Sequence, residues 1–131
     1  MPTKPLLAVT AALACLAAAP APTVLVGATE TSGHVLTDAD GHTLYTYDLG
    51  PCTGSCLDLR RPVHAAGGTT PTLPPGIAGT LGTLARPDDR TLQLTYEGSP
   101  LYTYMGDTQP AETNGITPDW HVVPAHYLPT R

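Results

Sequence analysis

The sequence has no phenylalanine, one tryptophan and one lysine in 131 residues, and aromatic residues make up only 5% of it. Large apolar side chains are scarce, which limits the chain to one compact domain with a modest core. The single lysine, Lys4, lies at the N-terminus, and beyond it five arginines face eleven aspartates and glutamates. A nucleic-acid partner is excluded on that balance, because binding a polyanion needs a basic face that releases counterions. Beyond the N-terminal stretch no apolar run is long enough to span a bilayer. Ser32, Ser55 and Ser99 lack the context of a nucleophile elbow. No nucleophile, base and acid form a set, so the expected protein is not an enzyme and needs no cofactor.

Turn formers, by contrast, are abundant: 13 glycines and 15 prolines punctuate the chain. They predict many turns and little helix. Between them lie short runs rich in Leu, Val, Thr and Tyr, the residues of strands. One such run occurs twice. Gly41-His42-Thr43-Leu44-Tyr45-Thr46-Tyr47 returns fifty-seven residues later as Gly98-Ser99-Pro100-Leu101-Tyr102-Thr103-Tyr104, with Leu-Tyr-Thr-Tyr identical. The repeat predicts a mainly β, small single domain built from two related antiparallel hairpins, in units of about 33–64 and 84–124. In the first unit Asp40-Gly41 is expected to form a two-residue hairpin turn. In the second, Leu92, Leu94 and Tyr96 alternate with Gln93 and Thr95, the period of a half-buried strand. Pro100 lacks an N–H and belongs at an edge. The long Gly/Pro/Thr-rich stretch from Ala65 to Pro87 reads as a surface loop joining the units, with a short strand at Thr83-Leu84-Ala85. Asp119 to Pro124 reads as a closing strand, with Trp120 as a core anchor.

The N-terminus carries the layout of a secretory signal peptide. Lys4 supplies a weak positive start, Leu6 to Ala14 an apolar stretch, and Ala17-Ala18-Ala19-Pro20-Ala21-Pro22 small residues and a break. Residues 1–22 are therefore assigned to a leader and 23–131 to the exported domain, in the periplasm, at the cell surface or outside the cell. Ala12-Leu13-Ala14-Cys15 resembles a bacterial lipobox with its leucine displaced by one position. If Cys15 is acylated, its lipid chains anchor the protein to a membrane; otherwise it is lost with an ordinary leader.

Two further cysteines, Cys52 and Cys56, follow the first hairpin. In an exported chain such a pair is expected as a disulfide, with Gly54 and Ser55 permitting the tight turn. The competing reading is a soft metal or thiol-redox site using both sulfurs, with His42, His64, Met105 or His121 as possible further ligands. Asp88-Asp89, before Arg90, reads as a solvated turn. Tyr45 and Tyr47 share one strand face, as do Tyr102 and Tyr104, which suits core packing or an aromatic binding surface.

Taken together these residues resemble a family of bacterial secreted proteins and lipoproteins built from tandem repeats with a Tyr-x-(Phe/Trp/Tyr)-x-x-Asp motif. Tyr102-Thr103-Tyr104-Met105-Gly106-Asp107 fits that motif at each fixed position, whereas Tyr45-Thr46-Tyr47-Asp48-Leu49-Gly50 lacks the final aspartate. Either Asp48 substitutes for it, or the first copy has lost that contact. The Cys52/Cys56 pair, the hairpin from Gln93 to Tyr102 and the strand Trp120 to Pro124 also look like the family's elements. Four positions, in three places, depart from the pattern. Arg60-Arg61-Pro62 replaces the Trp-Pro-Pro that tends to follow the cysteines, removing an aromatic anchor. Asp89 and Ala111 stand where turn glycines are expected. The resemblance implies export and a β-rich repeat fold, with Tyr45, Tyr47, Asp48, Tyr102, Tyr104 and Asp107 as motif or binding residues. It implies no established activity, ligand or partner.

Overall fold

The computed structural model describes residues 21–129; Cys15 and all but the last two residues of the assigned leader lie outside them, as does Arg131. Among the described residues nine short strands form: β1 (Leu25–Ala28), β2 (His34–Thr37), β3 (Tyr45–Tyr47), β4 (Arg60–Pro62), β5 (Leu81–Ala85), β6 (Leu92–Tyr96), β7 (Ser99–Pro100), β8 (Tyr102–Tyr104) and β9 (Trp120–Val122). A 3-10 helix, Gly54–Asp58, carries Cys56. The fold is mainly β with antiparallel pairing throughout, as the sequence predicts.

The two Leu-Tyr-Thr-Tyr copies meet at the centre of the molecule. A four-stranded sheet runs in the order β4-β8-β3-β9, and its middle strands carry the repeated tyrosines with Tyr45 opposite Tyr102. The outer strands arrive crosswise. Strand β4, from the first half of the chain, pairs with β8, placing Arg60 opposite Tyr104. Strand β9, from the second half, pairs with β3, placing Trp120 opposite Tyr47.

The backbone bonds just behind these strands show the same exchange. Leu36 N–H donates to Val123 O (2.9 Å), Val123 N–H to Leu44 O (3.1 Å) and Leu44 N–H to Leu36 O (3.0 Å). The second half has a matching triangle, with Leu94 N–H to Val63 O (2.8 Å), Val63 N–H to Leu101 O (3.0 Å) and Leu101 N–H to Leu94 O (3.0 Å). All six side chains are apolar. Leu36, Leu44, Val123, Leu94 and Leu101 belong to the buried aliphatic core, against which Val63 packs. Each triangle takes its valine from the other half of the chain. The hairpin units drawn along the sequence are therefore not closed by their own last strands.

Three local expectations are corrected. The first turn is not a two-residue turn at Asp40-Gly41. Asp38 N–H donates to His42 O (2.9 Å), three residues lie between them, and of the expected pair only Gly41 has positive φ (89°). The two-residue form occurs instead in the second unit, where Glu97 (φ 50°) and Gly98 (φ 81°) join Tyr96 to its partner Ser99. Strand β6 is not half-buried. It lies between β5 and β7; Gln93 is 1% exposed and Thr95 6%, whereas Leu92 is 37% exposed. Gln93 tolerates burial because its amide is bonded at both ends, accepting from Arg86 Nη1 and donating to Leu101 O. The connection from Ala65 is not a free surface loop throughout. Ile77 is buried in the core and bridges Tyr127, and β5 begins at Leu81, earlier than Thr83. Pro100 sits in β7, an edge strand, as its missing N–H requires.

Candidate functional site: a tyrosine cluster tied across the two halves

Tyr45, Tyr102, Trp120 and Cys52 form a second buried cluster beside the aliphatic core, with Tyr47, Tyr104 and Cys56 packed against it. Four of the six expected motif residues are thus tyrosines of one aromatic group. Strand period two puts both tyrosines of each copy on one face, where Tyr45 and Tyr102 are fully buried and Tyr47 and Tyr104, at the strand ends, are half-buried.

Both central hydroxyls reach into the opposite half. Tyr45 Oη donates to Asp107 Oδ2 at 2.5 Å and accepts from Gly115 N–H at 3.2 Å. Asp107, itself 5% exposed, also accepts from Asn114 N–H at 2.9 Å. Burial first, and the Asp107 carboxylate second, push the Tyr45 phenol well above the usual tyrosine range. The motif aspartate of the second copy therefore holds the tyrosine of the first. In the other direction Tyr102 Oη accepts from Cys52 N–H at 3.1 Å. Gly50 stands at the first-copy position equivalent to Asp107, and Asp48 does not take over: its carboxylate is 54% exposed and bonds His121 Nε2 at 2.6 Å. The role passes to a backbone N–H of the cysteine loop.

The outer tyrosines are flanked by planar groups. Tyr47 stacks on Trp120, with centroids 4.3 Å apart and planes 12° from parallel. Tyr104 occupies the matching register position opposite Arg60, whose guanidinium lies 4.3 Å from its ring, 4.1 Å from Trp120 and 5.3 Å from Tyr45. The aromatic anchor that the sequence lacks at position 60 is replaced by a guanidinium plane, which stacks on rings as an indole does. Arg60 is 6% exposed and donates from Nη2 to Gly115 O at 2.7 Å, while Nη1 is buried without a hydrogen-bond partner. Burial lowers its pKa from the ordinary arginine value.

A second arginine was not visible as a structural residue in the sequence. Arg86 is 2% exposed and the largest fully buried side chain among the described residues. It donates to Asp88 through Nε (3.0 Å) and Nη2 (2.8 Å), to Gln93 Oε1 through Nη1 (2.8 Å) and to Cys52 O through Nη2 (2.8 Å). Asp88 is thus not merely part of a solvated turn. Its fork with Arg86 holds the carboxyl below, and the guanidinium above, their ordinary values.

Cys52 and Cys56 are joined by a disulfide, with Cα atoms 5.4 Å apart. Cys52 is fully buried, and its N–H and carbonyl serve Tyr102 and Arg86. Sulfurs bonded to each other cannot act as a thiolate pair for a metal. A different grouping was missed: ligand atoms of Asp38, Asp40 and His42 lie within 4.8 Å of one another. These residues could hold a cation, but Asp38 Oδ1 already accepts the N–H groups of Asp40 and His42, and Oδ2 faces His42 Nδ1 at 3.3 Å. Those bonds belong to the turn itself.

An apolar groove of about 470 Å³ opens beside the cluster, walled by Tyr47, Tyr102, Leu84 and three prolines.

Residues 83–124 match the family model described as a secreted repeat of unknown function, which spans strands β6 to β9 and the end of β5. That family is secreted by description, which supports export of this chain. No curated protein matches the chain, and no solved structure does.

Proposed function

We propose that the protein is an exported cell-envelope component acting as a non-enzymatic structural or binding module. The observation that carries this reading is the use of its polar chemistry to hold the fold. The two central tyrosine hydroxyls, the motif carboxylate of Asp107, two of the arginines and both disulfide cysteines are bonded to one another or to backbone across the halves. An apolar groove opens at the surface beside the cluster, a shape suited to holding a partner or ligand. The disulfide and the secreted description of the matched repeat both favour an oxidising compartment.

The N-terminal layout adds a leader ending near residue 22 and, through Cys15, a route to membrane anchoring. Mass spectrometry of the protein recovered from a bacterial host tests both. Loss of at least residues 1–14 is expected. An acylated Cys15 at the new N-terminus supports a lipoprotein, a start at or beyond Ala19 supports simple secretion, and an intact N-terminus contradicts export.

A further inference from the structure

The geometry points to the groove beside the tyrosine cluster as a docking site for an extended, proline-containing, arginine-flanked peptide segment of another exported protein. This inference rests on the binding-module reading and gives it a partner of definite chemistry.

The groove walls suit such a segment. Tyr47 presents ring surface beside the fully buried Tyr102, and Pro51, Pro87 and Pro100 add rigid faces with no N–H to satisfy. Leu84, 44% exposed on the edge strand β5, completes the apolar lining. Aromatic-lined grooves accept polyproline II segments because both surfaces are preformed and lose little conformational freedom on contact. The rings are already fixed. Tyr47 is stacked on Trp120, while Tyr102 meets Trp120 edge-on (5.2 Å) and is tethered through its hydroxyl to Cys52 N–H.

The charges around the groove choose the flanks of the partner. Asp48 follows Tyr47 directly, and its N–H donates to Asp119 O at 3.0 Å, which brings a second acidic residue to that end. At the other end Asp88 and Asp89 follow Pro87. Buried Arg86 sets one guanidinium against both Asp88 (2.8 Å) and Asp89 (3.9 Å), while at the first end Asp48 bonds His121 Nε2 and Asp119 adds a further carboxylate. Among the described residues only Arg61 and Arg90 are exposed arginines. An anionic or neutral segment gains nothing from these ends, whereas arginine can pair with the carboxylates and stack on the rings.

Trp120 is the only tryptophan and touches both groove tyrosines, so its emission reports occupancy. The test titrates the purified protein with a blocked, non-aromatic peptide carrying a Pro-Leu-Pro-Pro core between arginines. One control replaces the arginines with glutamates, and the other keeps them around a Gly-Ser core. A saturable change in Trp120 emission is expected for the first peptide, with affinity about tenfold above either control at low salt. Leu84→Ser, on the exposed face, is expected to weaken it about tenfold, and Asp48→Asn to reduce the preference for arginine over glutamate; cooperative thermal unfolding verifies that each variant is folded. No saturable response from the folded protein, equal binding of the Gly-Ser control, or unchanged binding by Leu84→Ser would overturn the proposal. Any of these results leaves the broader module reading standing, because that reading is decided by the thiol and metal content of the same preparation.

Discussion

Arg60 and Arg86 carry positive charge into a small interior, and the fold treats them differently. Arg86 is saturated with acceptors, and Arg60 lies between rings with one nitrogen unpaired. Replacing Arg86 with methionine leaves Cys52 O and Gln93 Oε1 buried without their donor, and denaturant unfolding is expected to show a loss of about 3 kcal/mol. Asp88 gives the pair an acid limit. Its folded pKa is depressed, so its contribution is present above about pH 4, the unfolded value, and fades as pH falls through the folded one. Ala111 marks a smaller conflict. It holds φ 58°, at a position where the family resemblance expects glycine. Ala111→Gly is expected to stabilise the protein by about 1 kcal/mol, less the added freedom of the unfolded chain, as an upward shift of the denaturation midpoint. Position 111 was legible because a turn glycine was missing there. Arg86 was not, because nothing in Ala-Arg-Pro-Asp distinguishes a buried arginine from a solvated one.

Strands show the same boundary between what is readable and what is not. The repeated Leu-Tyr-Thr-Tyr announced two equivalent strands, and alternation put Tyr45 with Tyr47, and Tyr102 with Tyr104, on one face. Pairing partners were hidden, because period two reveals a strand and its faces but not its neighbour. Thus β9, read as a closing strand at the end of the second unit, pairs with β3 of the first, and β4, which no pattern announced, pairs with β8 of the second. Gln93 failed for a related reason: a polar residue in an alternating strand reads as outward until Arg86 and Leu101 O are known to meet it. Strand exchange has a direct consequence. A chain cut in the connection near Gly67-Gly68 gives halves that each lack a closing strand. Circular dichroism and NMR are expected to show each half unfolded alone and a native-like spectrum on mixing. Two halves that fold independently would refute the crosswise arrangement.

At the scale of the whole molecule the cross-ties make the tyrosine cluster a pH-sensitive joint on the alkaline side. The Tyr45 phenol is raised in the folded state and returns to about pH 10 on unfolding. Its contribution is therefore complete below about pH 10 and is lost as pH rises toward the folded value. Stability is expected to fall above pH 10. In Tyr45→Phe that fall is shallower, while stability at neutral pH drops by about 1–3 kcal/mol through the unpaired Asp107. Unfolding measured across the alkaline range in both proteins checks the sign.

The same joint depends on the cysteine loop, since Cys52 serves Tyr102 and Arg86 together. The account of an exported module whose cysteines hold structure, rather than metal or electrons, is tested most directly by counting thiols and metal in the protein purified from its native envelope. No free thiol at Cys52 or Cys56 and no stoichiometric metal are expected. Two titratable thiols with about one equivalent of copper or zinc, both lost in Cys52→Ser, would contradict it.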